Sequence, residues 1–271
     1  MSVLVVIPAR YGSVRFPGKP LALLQGKPVI QHVYERAVQA ARMDDVVVAT
    51  DDERILDAVQ RAGGKAVMTN PAARSGTERA AEVARTHAAQ VILNVQGDEP
   101  LIHPEQLDQV AEFLLAHRAI PMATLMTRLT RREELANPNV VKVVVDQDGY
   151  ALYFSRSPIP FVRLPGGSRV EGQGSREDGT PSPFTLHPSP YWKHIGLYGY
   201  QRQLLLRFPH LEPTPLEQAE QLEQLRALEH GHKIRVLETT HDTVGVDTQE
   251  DLKRVEQLLM TRAHGSSSRA F

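Results

Sequence analysis

The chain contains no cysteine. Disulfides, thiol nucleophiles and cysteine-ligated zinc are therefore excluded. No run of about 18 apolar residues occurs, so no segment reads as a membrane-spanning helix. The opening Met-Ser-Val-Leu-Val-Val-Ile-Pro has no basic residue ahead of its short apolar run. That reads as a buried strand and not as a secretion signal. A net charge of −1 gives the whole chain no electrostatic pull toward nucleic acid or an anionic membrane. Internal repeats are also missing. These absences point to a cytoplasmic protein with neither a nucleic-acid partner nor membrane insertion, in which any anion must be held by local charge.

The 271 residues are 41% hydrophobic and 23% charged, ordinary for a globular protein. That length suits one large α/β domain, or one domain with a lobe. Arginine supplies 24 of the 31 basic residues, the other 7 being lysine, so carboxylate and phosphate forks are available.

Strand and helix patterns alternate four times over about 115 residues. Strands are expected at 3–7, 46–50, 66–68 and 91–95, and helices at 28–42, 53–62, 76–87 and 104–117. The last helix has Pro104 in its first turn. Such alternation means βαβ units, a mainly parallel sheet and right-handed crossovers. Ligands of such sheets sit outside the carboxyl ends of the strands. Beyond residue 120 the pattern loosens. A hairpin is expected from strands 140–145 and 151–155 around Asp146-Gln-Asp-Gly149. Residues 164–190, rich in Gly, Pro and Ser, read as a long mobile loop. A strand at 195–200, a helix at 216–229, a strand at 234–237 and a closing helix at 249–261 follow. A frayed tail is expected at 263–271.

The segment Ile-Pro-Ala-Arg-Tyr-Gly-Ser-Val-Arg-Phe-Pro-Gly-Lys-Pro spans residues 7–20 and leaves the first strand directly. Arg10, Arg15 and Lys19 are interleaved with Gly12, Ser13 and Gly18. Small residues let backbone N–H groups approach phosphate oxygens, and three cations neutralise a polyanion. The alternative is a solvated basic loop whose glycines serve turns. It is not a Walker loop, because Pro20 follows Lys19, nor a dinucleotide G-x-G-x-x-G fingerprint. Gln96-Gly97-Asp98-Glu99-Pro100 leaves the 91–95 strand at the same edge. Gly97 permits a sharp turn, and Asp98 there suits a hard cation such as Mg²⁺, unless it only forms the turn. Ser75-Gly76-Thr77 precedes a helix, and serves either as a simple N-cap or as a contact to a phosphate or a pyrimidine edge. Asp247-Thr248 precedes the closing helix and reads equally as an N-cap.

These segments resemble the sugar nucleotidyltransferases. Within them the chain is most similar to the CMP-Kdo synthetases, the 3-deoxy-manno-octulosonate cytidylyltransferases. Further segments carry the likeness: A-T-D-D-E-R at 49–54, S-G-T-E-R at 75–79, N-V-Q-G-D-E-P at 94–100 and P-N-V-V-K-V-V at 138–144. So do A-L-Y-F-S-R-S-P-I-P at 151–160, K-H-I-G-L-Y-G-Y at 193–200, L-E-Q-L-R at 222–226 and G-V-D-T-Q-E-D-L at 245–252. The likeness runs from residue 3 to about 259 and fails across 164–190 and the tail. The related CMP-sialate synthetases usually have Asn where this chain has Pro20.

The resemblance implies a Rossmann-like sheet of the nucleotide-diphospho-sugar transferase type with a smaller sugar-binding and dimerisation lobe. Residues 1–262 then form a single domain. Its nucleotide-binding half is 1–120, its lobe 121–245 and its closing helix 246–262. The implied reaction activates Kdo with CTP for lipopolysaccharide synthesis. The implied catalytic residues are Arg10, Lys19 and Asp98. The implied nucleotide contacts are Ala9, Arg10, Ser13, Arg15, Lys19, Ser75, Gly76 and Gln96. The sugar contacts are Gln96, Arg163, His194, Tyr198, Glu223 and Gln224, and Mg²⁺ rests on Asp98 with Asp247. A homodimer built around residues 125–200 is also implied. From the residues alone, His194 reads as a surface histidine, and Glu223 and Gln224 as the polar face beside an apolar stripe. The prolines at 158 and 160 stiffen the strand exit and are expected to aim Arg163 inward. No His or Glu stands out as a general base. Other readings are activation of a sialate or an 8-amino analogue of Kdo, and a nucleotide-binding regulator without turnover.

Overall fold

The computed structural model describes residues 2–12, 15–163 and 190–267, with the backbone alone from 262 onward. Ser13, the 164–189 part of the expected loop and residues 268–271 lie outside the described residues. In chain order the elements are β1 (Val3–Ala9), β2 (Leu23–Leu24), β3 (Lys27–Pro28), α1 (Val29–Ala37), β4 (Asp45–Thr50), α2 (Glu53–Arg61), β5 (Ala66–Met68), α3 (Gly76–Thr86), β6 (Val91–Val95) and α4 (Pro104–Ala116). There follow β7 (Met122–Arg128), α5 (Arg132–Ala136), β8 (Lys142–Val145), β9 (Ala151–Ser155), β10 (Trp192–Gln201), α6 (Arg202–Arg207), α7 (Pro215–Glu220), α8 (Gln224–Glu229), β11 (Ile234–Glu238) and α9 (Gln249–Ser267). The helix α9 continues to Ser267, where the sequence pattern places its end near 261.

The chain forms two compact units. The first takes residues up to Pro121, 197–210, and those from Thr243 onward; the second takes 122–196 and 211–242. In the first, β1 is central. It pairs in parallel with β4 on one side and β6 on the other, and β5 adds in parallel beyond β4. The second half of β10 runs antiparallel to β6. Val3 to Ile7 are each at most 1% exposed. Successive strand residues face opposite sides, so both faces of this sheet are covered. The mixed, mainly parallel sheet flanked by helices is the α/β architecture the alternation predicts.

The helix α1 stops at Ala37, short of the expected 42. The amides of Ala41 and Arg42 instead donate to the Asp108 carboxylate, at 3.0 and 2.8 Å. A side-chain acceptor from another helix thus takes the bonds that would extend α1. The helix α4 rests on β10 at Gly199. A Cβ there would lie 2.5 Å from Val110 Cγ1 and 2.6 Å from Leu114 Cδ1.

In the second unit β11 pairs in parallel with β7, and β8 with β9 in the expected hairpin. Its turn is closed by Gly149 N to Asp146 O at 3.0 Å and Tyr150 N to Asp146 Oδ1 at 2.8 Å. The strand β7 has no counterpart in the sequence reading. Met122-Ala-Thr-Leu-Met-Thr is buried throughout, so it shows no alternation, and Ala and Met favour strands weakly. The expected helix 216–229 is two helices, α7 and α8, separated at Gln221, which has φ 53°. Arg156 explains the break. Its guanidinium binds the carbonyls of Glu220 at 2.7 Å and Gln221 at 3.2 Å, ending α7 there.

Gly199→Ala is expected to lower stability by about 1–3 kcal/mol, because the new methyl must displace Val110 and Leu114. A denaturant midpoint unchanged from wild type would show that α4 does not seat on this position.

Candidate active site

The site is assembled at the carboxyl edge of the first unit's sheet, where β1, β4 and β6 end. Ala9 closes β1 and is buried. Arg10 follows it and is exposed. The loop then turns back, with Gly18 N donating to Tyr11 O at 3.0 Å. Gly18 has φ 72°, and a Cβ on it would lie 3.1 Å from the Tyr11 ring, so glycine is required on both counts. The Arg54 guanidinium, 3.4 Å from the centroid of that ring, covers Tyr11 and is itself forked onto Asp52.

Lys19 lies at the end of this loop and its side chain is only 11% exposed. Its Nζ is 2.5 Å from Asp98 Oδ2 and 3.1 Å from Asp247 Oδ1. Arg15, at the exposed rim, reaches the other oxygen of Asp247 at 3.2 Å. Burial acts to lower the Lys19 pKa, but the two carboxylates outweigh it and hold the ammonium above its usual value. The three polar residues are set by apolar ones. Phe16, Leu101, Val246 and Val255 share one cluster with Leu24 and Val29, which ties the three segments together. Val246 N also donates to Asp98 O at 2.8 Å. Gly97 allows the closest approach, since a Cβ there would lie 2.7 Å from the Pro8 carbonyl oxygen.

The alternative reading of Asp247 as a helix cap does not hold. Thr248 Oγ1 accepts from Asp251 N at 3.1 Å, and Asp251 Oδ2 accepts from Thr248 N at 2.9 Å. That reciprocal pair is a capping box one residue on. It leaves the Asp247 carboxylate turned to Lys19 and Arg15. Asp98 and Asp247 thus bring hard oxygens to one point already held by a cation, which suits a divalent metal.

Ser75 caps α3, accepting from Glu78 N at 3.2 Å. Gly76 packs against Pro8, where a Cβ would lie 2.9 Å from Cγ. Gln96 is half-buried at the end of β6. Tyr198 pairs with Asn94 across β10 and β6. Two features escaped the sequence reading. Arg79 is buried and paired with Asp51, which joins the S-G-T-E-R and A-T-D-D-E-R segments. Asn94, also buried, donates to Thr77 Oγ1 at 3.3 Å beneath the start of α3. A charged residue inside each motif was the available signal for the first pair.

In the second unit His194 is buried and not at the surface. Its Nε2 is 2.9 Å from Thr124 Oγ1, and its ring stands edge-on to Phe154. Burial pushes its pKa from 6.5 down to about 3, so the imidazole is neutral. Gln224 is buried too, with no protein partner for Nε2 among the described residues, and Glu223 precedes it at the start of α8. These two do not form a solvated polar face. Arg163 is exposed, and the prolines do not turn it inward. Lys142, fully buried within the P-N-V-V-K-V-V segment, donates to the carbonyls of Asn137, Val140 and Arg156 at 3.1, 2.6 and 2.5 Å. Glu220 accepts from Ser155 Oγ at 2.6 Å and Arg156 N at 2.9 Å.

A basic loop at the carboxyl edge of a parallel sheet, facing two carboxylates, marks a nucleotidyltransferase. The sequence pattern of the cytidylyltransferase family matches residues 4–234. The 3-deoxy-manno-octulosonate cytidylyltransferase of Pelobacter propionicus is 50% identical over 257 residues, covering 95% of this chain and 97% of that protein. That of Syntrophotalea carbinolica is 52% identical, covering 94% and 98%. A solved CMP:2-keto-3-deoxy-manno-octonic acid synthetase, complexed with CTP, superposes with a TM-score of 0.83 at 43% identity over 97% of this chain and all of that one. The chain belongs to the 3-deoxy-manno-octulosonate cytidylyltransferases, the family its motifs resemble. A 4-diphosphocytidyl-2C-methyl-D-erythritol synthase from Anaerococcus prevotii, at 13% identity and a TM-score of 0.57, shares the fold alone. Among the described residues no helix is long and apolar enough to cross a membrane.

His194 supplies a pH test of the second unit. Below pH 6.5 the unfolded chain binds a proton at this imidazole, while the folded chain stays neutral down to about pH 3. Stability should therefore fall with pH through that window, by up to about 1.4 kcal/mol per pH unit. His194→Gln keeps a polar side chain and removes the titration, so urea midpoints between pH 6 and 4 should slope less steeply than in wild type. Parallel slopes would place the acid sensitivity elsewhere.

Proposed function

We propose that the chain joins CTP to Kdo, releasing pyrophosphate and forming CMP-Kdo for lipopolysaccharide synthesis. The observation that carries this is the buried Lys19 ammonium, at the end of a basic loop and between the Asp98 and Asp247 carboxylates. The anomeric C2 hydroxyl of Kdo attacks the α-phosphorus in line. The bond from that phosphorus to the α–β bridging oxygen breaks, and the hydroxyl proton is lost to solvent. Lys19, Arg10 and Arg15 hold the triphosphate and the charge that develops on it. Positioning and charge neutralisation supply most of the acceleration. Ala9, Ser13, Ser75, Gly76 and Gln96 orient the nucleotide, Ser75 and Gly76 from the positive end of the α3 dipole. Magnesium on Asp98 and Asp247, when bound, would neutralise phosphate charge and acidify the attacking hydroxyl.

For the sugar we propose, in the second unit, Arg163, His194, Glu223 and Gln224. The buried, unpartnered Gln224 Nε2 supports this, because a buried donor without a partner is costly until a ligand accepts from it. The second unit exposes Leu152 at 63% and Phe161 at 71%, which supports a homodimer formed through it. A cytoplasmic location, where CTP is at hand, completes the reading.

Pyrophosphate release should require CTP, Kdo and Mg²⁺ together. A sialate or 8-amino-Kdo used better than Kdo would reassign the sugar. Lys19→Ala should cost about 3–4 kcal/mol of transition-state stabilisation, a 10²–10³-fold loss of rate. Asp98→Asn turning over at the wild-type rate would remove the metal role.

A further inference from the structure

We infer that Lys19 and Arg15 serve as internal counter-ions to Asp98 and Asp247 in the free chain, so that metal and nucleotide bind cooperatively. This rests on the metal and triphosphate assignments proposed above. Two carboxylates converge on one point, and like charges so placed repel unless a cation lies between them. Lys19 Nζ supplies it, 2.5 Å from Asp98 and 3.1 Å from Asp247, and Arg15 adds a second contact at 3.2 Å. The oxygens that would ligate a metal are thus already engaged by the cations that would grip the triphosphate.

One ammonium cannot occupy both positions. A metal arriving alone would expel from its anions a Lys19 side chain that is only 11% exposed, leaving a desolvated charge unpaired. A nucleotide arriving alone would draw Lys19 away and leave the two carboxylates facing each other. Together, each ligand relieves the strain the other creates, the metal on the carboxylates and the phosphates on the lysine. Such coupling is reciprocal: the factor by which metal tightens nucleotide is the factor by which nucleotide tightens metal. The flexible four-carbon stem of lysine suits the exchange, and Arg15, 56% exposed, is free to follow.

The test uses Mn²⁺ alone, without nucleotide, with free ion counted by its electron paramagnetic resonance signal. Lys19→Met keeps length and removes charge. It should bind Mn²⁺ tighter than wild type by about tenfold or more. Its thermal midpoint should lie below wild type in chelator and rise on adding Mn²⁺, while the wild-type midpoint moves less. Arg15→Gln, at the rim, should give a smaller rise in Mn²⁺ affinity and provides the test should Lys19→Met fail to fold. Asp98→Asn in either background should abolish the gain. Equal, measurable Mn²⁺ affinity in wild type and both variants overturns the counter-ion role and leaves the metal assignment standing. No Mn²⁺ binding in any of them overturns the metal assignment itself.

Discussion

One ammonium between two carboxylates joins three distant segments of the first unit. Lys19 joins Asp98, 79 residues away, and Asp247, 228 residues away. The ion pairs do not supply the stability that brings these segments together, because desolvating charges offsets most of their mutual attraction. The apolar cluster of Phe16, Leu24, Val29, Leu101, Val246 and Val255 does that work. Each fully buried side chain of this kind contributes roughly 1.5–3 kcal/mol. The cluster holds the three charges at contact distance, and Gly97 and Gly18 remove the side chains that would keep the loops apart.

In the second unit the buried charge of Lys142 is satisfied differently. Lys142 has three backbone carbonyls as partners in place of a carboxylate. Burial depresses its pKa to about 8, against the opposing pull of Glu220. Glu220 in turn accepts from the strand β9 and its exit, and Arg156 fastens that exit to the end of α7. Lys19 thus matches charge to charge. Lys142 matches charge to peptide dipoles, and so ties segments that are separate in sequence.

The alternating half of the fold was legible because strands covered on both faces read as β-branched runs and their helices carry apolar stripes. That the loop after β1 and the turn at Gln96 to Pro100 come together was legible because both leave parallel strands at one edge. What escaped notice has physical reasons. The strand β7 mixes Ala and Met and buries every residue from Met122 to Thr127, so neither propensity nor period marks it. The break at Gln221 is imposed by Arg156, whose sequence distance hides the contact. The burial of His194 depends on Thr124 and Phe154, on two other strands. The pairing of Lys19 with both carboxylates is tertiary, and spacing alone offered only the partners.

The capping box of Thr248 and Asp251 has a consequence for how this chain can vary. By taking over the start of α9, it relieves the neighbouring Asp247 of any duty to the helix. Adjacent positions thus carry separate obligations, one to folding and one to charge. Loss of the carboxylate at 247 is a change in the electrostatics of the site with little effect on the helix behind it, and a lesion there can be read as chemical in origin.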